Sequence, residues 1–306
     1  MKQYILRRVG YSLLSLFLLS LTIFLFVRVT GDPVALLTEP GASQEDIEAM
    51  HRQFGLDQPL WVQYWHFIAS FITGDFGQSF YYRTPVLDLY FQRLPNSLIL
   101  AAVAMALSLV IGIPSGILAA VRVDGFWDSA GKLFALLGLS LPQFWVGLVL
   151  ILVFSVSLGW LPSSGSGSFL HILMPAFTLG WYFAAAHMRL TRSSMLEVMG
   201  SEYVKLARLK GLPEALVIGK HALKNALIPV ITLAGINLVV MINVAVIVET
   251  VFAWPGIGRL LYEGVTFRDF PVVQAVVVIG GSMIILVNLL IDILYALIDP
   301  RIRLES

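Results

Sequence analysis

The stretch EYVKLARLKGLPEALVIGKHALKNALIP, from Glu202 to Pro229, contains the residues of this chain best suited by type and spacing to a task in water. Lys205, Arg208, Lys210, Lys220 and Lys224 lie along it, and Gly211 with Pro213 divides it into a helix-turn-helix rhythm. A basic helical segment of this kind either rests on anionic lipid or is gripped by a soluble partner. In a helix beginning near Glu202, the residues Tyr203, Leu206 and Ala207 form a compact apolar ridge, Arg208 and Lys210 supply rim charges, and Gly211 stops the helix. This is the chemistry of docking.

A second set of candidates lies inside or beside long apolar runs, where a polar side chain needs a partner or a water-filled path. These are Gln143 after Pro142, Asn237 and Asn243, Glu249 at the end of the same run, and Asn288 and Asp292 near the C-terminus. Asn288 and Asp292 stand one helical turn apart and can bond a neighbouring helix together. Asn237 and Asn243 do not share a face closely, so one of them reads as interhelical glue. Gln143, Asn237, Asn243, Glu249 and Asp292 are the candidates for a pathway or gate.

Covalent chemistry finds no footing. The pair Gly219-Lys220 is followed by His221 and not by Ser or Thr, so there is no Walker A sequence and nucleotide hydrolysis must belong to another chain. His51, His66, His171, His187 and His221 never stand at i and i+4, as zinc-protease helices require, and no nucleophile elbow occurs. Without cysteine there are no disulfides, thiolate metal sites or thiol catalysis. The basic residues follow loops and form no patch interleaved with stacking aromatics, which argues against nucleic acid.

The elements that must position these residues are membrane helices. Apolar residues make up 58% of the chain and charged residues 13%, far from the soluble globular range. A spanning helix needs about 20 apolar residues. Six runs qualify: Val9 to Val27, Ser97 to Val121, Leu133 to Trp160, Phe169 to Met188, Ala226 to Val248 and Pro271 to Leu297. The expected fold is an all-α polytopic membrane protein.

Most of the 20 Lys and Arg fall at the N-terminus, in the second and fourth connections and at the C-terminus, which places both termini and the Glu202 segment in the cytoplasm. Lys2, Arg7 and Arg8 before the first run mimic a signal peptide, but the run is long enough to span and is read as retained. The chain then divides into a first spanning helix over 1–29, an outer loop over 30–96, a five-helix core over 97–298 containing the cytoplasmic loop 189–228, and a tail over 299–306.

Two helices are expected in the outer loop. One starts at Ser43 with Asp46 three residues on and stops at Gly55; the other runs from about Pro59 to Ile72, its aromatic residues suiting a brace at the membrane interface. Gly112 and Gly116 have the spacing that lets helices approach closely. Gly74 to Phe80 reads as a tight turn, and the loop after Glu249 as a short helix or re-entrant segment.

Along nearly its whole length the chain resembles the membrane permease subunits of bacterial ABC importers, in the branch serving dipeptides, oligopeptides, glutathione and nickel. The resemblance lies in Gly31-Asp32-Pro33, FGLDQPLWVQYW from Phe54, GDFGQS from Gly74, RLPNSL from Arg93, LSLPQF from Leu139 and LGWLPSSG from Leu158. It continues in EYVKLARLKGLPE from Glu202, HALKNALIPV from His221, ETVFAWPGIGRLL from Glu249 and RDFPVVQA from Arg268. It implies the type I importer permease fold and no enzymatic activity in this chain.

The family's EAA loop falls on Lys205, Leu206 and Ala207, with Gly211 at the family spacing; Lys205 and Leu206 depart from the Glu and first Ala of the motif. The resemblance makes Glu202, Tyr203, Lys205, Leu206, Ala207, Arg208, Lys210, Gly211, His221 and Asn225 the surface that couples to an ATPase. It implies a second, homologous permease subunit, two ATPase subunits carrying ATP and magnesium, an external solute-binding protein, and a bacterial inner membrane. This chain would itself hold no cofactor. The expected solute is a di- or oligopeptide, with glutathione, nickel or a metal chelate as alternatives. A stand-alone secondary transporter, with Asp292 or Glu249 as its coupling acid, is the competing reading.

Overall fold

The computed structural model describes residues 2–29, 34, 43–53 and 55–298. In chain order its helices are α1 Lys2–Val29, α2 Gln44–Gln53, α3 Leu60–Thr73, α4 Val86–Val121, α5 Phe126–Ser140, α6 Gln143–Leu150, α7 Phe169–Met199, α8 Glu202–Leu209, α9 Glu214–Leu216, α10 Leu223–Val251, α11 Ile257–Thr266 and α12 Phe270–Ile298. Wider π-helical turns follow α6 over Ile151–Ser157 and join α9 to α10 over Val217–Ala222. The chain forms two compact units, Met1–Leu94 with Leu260–Ser306, and Pro95–Arg259.

Among the described residues, five helical segments are long and apolar enough to cross a membrane: Ile5–Val29, Val86–Val121, Phe169–Met199, Glu214–Val251 and Phe270–Leu290. They are helical because hydrocarbon offers backbone groups no other partner. The expected third span departs from a straight helix. It is broken into α5 and the α6 segment, bent by 105°. The break falls at Pro142, whose ring disfavours the α conformation at Leu141; that residue sits at φ −79° and ψ 129°. Six spans result when the bent pair counts as one. The second span also differs, since α4 begins at Val86 and so takes in residues assigned to the outer loop.

In the unit containing the N-terminus, α1 packs along α12, with Ile23 and Val27 against Phe270, Val273 and Val278. Gly281 lets the Leu19 side chain pack directly on its backbone, where a Cβ would force that side chain to shift. Helix α3 lies on α1 through Phe24, whose ring meets Tyr64 at 5.2 Å and Phe67 at 5.8 Å. Two hydrogen bonds accompany this contact: Ser20 Oγ with Tyr64 Oη at 2.9 Å, and Arg28 Nε donating to Gln63 at 2.9 Å. Trp61 and Trp65 remain exposed on α3, as suits a brace at a lipid interface.

Gly55 and Gly74 both end helices at positive φ, +62° and +77°. Beyond Gly74, Ser79 Oγ and Tyr81 N donate to Asp269, and Tyr82 Oη donates to Glu263 at 2.6 Å. Burial, and then this hydrogen bond to a carboxylate, pushes the Tyr82 hydroxyl up to about 12.

The other unit is built around α7. Gly112 and Gly116 of α4 lie flat on it: a Cβ at Gly112 would stand 2.8 Å from Ala184 O, and one at Gly116 2.7 Å from Met188 O. The close-approach reading of that pair therefore holds within one chain. Gly131 and Gly138 of α5 press in the same way on Met188 and Ala185. Leu100, Ala104, Leu179, Phe183, Met241, Val248 and Phe252 fill the core between α4, α7 and α10.

Candidate functional site: a docking helix on the membrane core

Helix α8 is short but closed at both ends. Lys205 N bonds Ser201 O at 3.1 Å at its start, and Gly211 at φ +76° ends it, with Gly211 N to Arg208 O at 2.9 Å and Leu212 N to Ala207 O at 3.4 Å. Only glycine adopts that backbone without strain.

Its two faces are chemically distinct. Val204 and Ala207 point inward into a cluster with Ala120, Met195, Val217, Ala222 and Ala226. Tyr203, Leu206 and Leu209 point outward, exposed by 43%, 52% and 84%. The expected ridge is thus corrected in one member. Ala207 lies three residues from Val204 and shares its buried face, while Leu209, three beyond Leu206, completes the exposed one. The i, i+3, i+6 spacing of Tyr203, Leu206 and Leu209 is the sequence signal that marks this face.

Ion pairs frame the ridge. Lys205 Nζ reaches Glu202 at 2.8 Å, and Arg208 holds Glu214 through Nη2 at 2.7 Å and Nε at 3.2 Å. The second contact ties the end of α8 to the first turn of the next helix, and the Glu214 carboxylate raises Arg208 above its ordinary value. Asn225 donates to Tyr203 Oη at 2.8 Å, fixing the ring from the side of α10. His221 is half-buried in the π-helical turn, and Lys210 is exposed. Glu202, Tyr203, Lys205, Arg208 and Asn225 thus lie at one exposed surface, with Ala207 beneath it.

The pathway candidates with described side chains each have their own surroundings. Gln143 is half-buried at the start of α6, and Asn243 donates to Val239 O of its own helix at 2.9 Å. Asn237 Nδ2 meets His187 Nε2 at 3.3 Å, while Ser108 Oγ and His187 Nδ1 stand 3.2 Å apart. This Ser108–His187–Asn237 chain, buried at Ser108 and His187 and half-buried at Asn237, links α4, α7 and α10. A His187→Leu, Asn237→Leu double-mutant cycle in the purified importer is expected to give a coupling of about 0.6 kcal/mol, the usual size for polar pairs between membrane helices. Thermal unfolding of the four variants measures it.

Glu249 is fully buried, accepts from Ser97 Oγ at 2.6 Å and from Arg259 N at 3.1 Å, and lies against Gly256. Asp292 falls on the last turns of α12, and its side chain lies outside the described residues. A further ionic group carries no signal in the sequence: buried Asp128 is held by Arg192 at 2.6 and 3.1 Å and by Lys132 at 2.9 Å. Among the described residues, no group of His, Asp and Glu side chains could hold a metal ion.

The comparisons with known proteins agree along the chain. The family described as "Binding-protein-dependent transport system inner membrane component" matches residues 112–304, and its N-terminal counterpart matches residues 1–101. The glutathione transport system permease protein GsiC of Escherichia coli strain K12 is 42% identical over 304 residues, covering 99% of each chain. The protein of that name from Shigella flexneri serotype 5b is equally similar, at 42% over 304 residues and 99% of each chain. A crystal structure of an amino acid ABC transporter with histidines shares the fold, with a TM-score of 0.52 and 16% identity over 70% of this chain and 94% of that one. The chain therefore belongs to the binding-protein-dependent transport system inner membrane components and is a multi-pass permease subunit of an ABC importer.

Proposed function

We propose that this chain forms half of the translocation pathway for a short peptide, and that α8 is the point at which a cytoplasmic ATPase drives it. The observation that carries the reading is the outward ridge of Tyr203, Leu206 and Leu209 on a helix closed by Gly211. Apolar side chains held in water on a rigid, charge-framed helix are what a groove on a partner recognises. The basic bias of the loops supports cytoplasmic termini and a cytoplasmic α8. ATP and magnesium would bind two ATPase subunits, a second permease would complete the pathway, and a soluble protein on the outer side would deliver the solute.

The peptide assignment draws on the 42% identity to permeases named for glutathione, itself a tripeptide, and glutathione is the specific alternative. Closure of the ATPases would move the docked helices and turn the bundle outward. The test is uptake into proteoliposomes holding the assembled importer. Uptake of di- and tripeptides or glutathione that requires both ATP and the binding protein is expected. Uptake that persists without any ATPase subunit would instead favour a secondary transporter.

A further inference from the structure

A groove of about 970 Å³ runs between α5 and α7, and nothing in the docking or transport reading uses it. Lys132, Leu136 and Leu139 line it from α5; Tyr182, Ala186 and Arg189 line it from α7. Both sets follow helical spacing, so each is a stripe on one face. The groove is apolar along most of its length, with cations gathered at one end. Arg189 lies 20 residues beyond Phe169, a rise of about 30 Å and therefore close to the hydrocarbon thickness of a bilayer. The charged end of the groove consequently falls at headgroup depth.

The cations differ in how they are occupied. Arg192 and Lys132 are drawn onto buried Asp128, and Lys132 also stands 3.9 Å from exposed Asp124; it remains 54% exposed, and its three-donor ammonium keeps capacity for a further acceptor. Arg189 is exposed and has no hydrogen-bond or ion-pair partner among the described residues. The exposed Ser193 hydroxyl also lines the groove. Three cations against two carboxylates, buried Asp128 and exposed Asp124, leave this end positive by one charge.

The geometry points to a bound anionic phospholipid: its phosphate on Arg189, with Lys132 and Ser193 as further donors, and one acyl chain along Leu136, Leu139 and Tyr182. Cations beneath a membrane-depth apolar groove complement a molecule that is anionic at one end and aliphatic along its length. A hydrophilic solute would leave the leucine-lined length unmatched. The site is independent of what the importer carries.

Photolabelling of the assembled importer in nanodiscs, using phosphatidylglycerol with a diazirine in the acyl chain, tests this directly. Peptides containing Leu136, Leu139 or Tyr182 are expected to carry the label. Labelling should fall about fivefold or more in Arg189→Gln and largely survive in Arg189→Lys, which keeps the charge. ATPase activity stimulated by the binding protein, retained in both variants, shows that they are folded and assembled. Equal labelling by the phosphatidylcholine analogue would mean ordinary annular lipid and overturn the site. Absence of label would mean that another subunit seals the groove, and competition by inorganic phosphate or by the transported solute would mean an anion site of another kind; either result also overturns it.

Discussion

Replacing Leu206 and Leu209 together by glutamate is expected to lower ATP-driven uptake at least about tenfold, while the chain still inserts and folds. Both side chains are exposed, so the unbound permease loses nothing from its core. Docking on an ATPase would bury them, and a carboxylate taken into such an interface without a partner opposes association strongly. Val204 provides the contrast, being fully buried in the cluster with Met195 and Ala226. Val204→Glu is expected to destabilise the loop itself, and its loss of uptake should come with loss of protein. Co-purification of the ATPase with each variant separates the two cases: the ridge variant remains abundant and unassociated.

The second large effect is expected at Glu249. Its carboxylate accepts from Ser97 Oγ and from the backbone N–H of Arg259, and so binds the end of α10 both to α4 and to the start of α11. Ser97 Oγ in turn accepts from Ile257 N at 2.8 Å. Glu249→Ala would leave the Ser97 hydroxyl and the Arg259 N–H buried without that acceptor, at a cost of about 1–3 kcal/mol for each group. Glu249→Gln keeps an acceptor and is expected to lose less. Gly256 belongs to the same device, since any Cβ there would strike the carboxyl group. Gly256→Val should therefore resemble Glu249→Ala in thermal unfolding of the purified importer. If Glu249 instead served as a coupling acid, Glu249→Gln would retain stability and abolish transport.

Local signals make α8 legible in the sequence. Gly211 and Pro213 punctuate it, and its charged residues stand out between two apolar runs. The orientation of its faces is harder to read, because small Ala207 is compatible with either a surface ridge or a tight core. Its burial is decided by Val217, Ala222 and Ala226, which arrive from the following helix. The 105° break at Leu141 is hidden for a different reason: hydropathy runs unbroken through Pro142, and a proline in a membrane helix can be absorbed or can end it.

Pairings distant in sequence are out of reach. Asp128 and Arg192 are 64 residues apart, and only the packing of α5 on α7 through Gly131 and Gly138 brings them together. That one of Asn237 and Asn243 serves as interhelical glue is recognisable from its cost in a bilayer, but the choice of Asn237 and its partner His187 are not. The start of α4 at Val86 escapes a hydropathy reading because hydropathy marks only the part of a helix that lipid covers, and α4 runs for 36 residues.

The central claim, that α8 is the coupling element, is tested most directly by cross-linking from its ridge. Because the chain has no cysteine, Leu209→Cys introduces a unique thiol at an 84% exposed position. In the assembled importer a short thiol-reactive photo-crosslinker on that residue should join this chain to an ATPase subunit, whereas the same reagent at Ser163→Cys, in the loop before α7, should not. Equal cross-linking from both positions, or none from Leu209→Cys in an importer that still transports, would contradict the account.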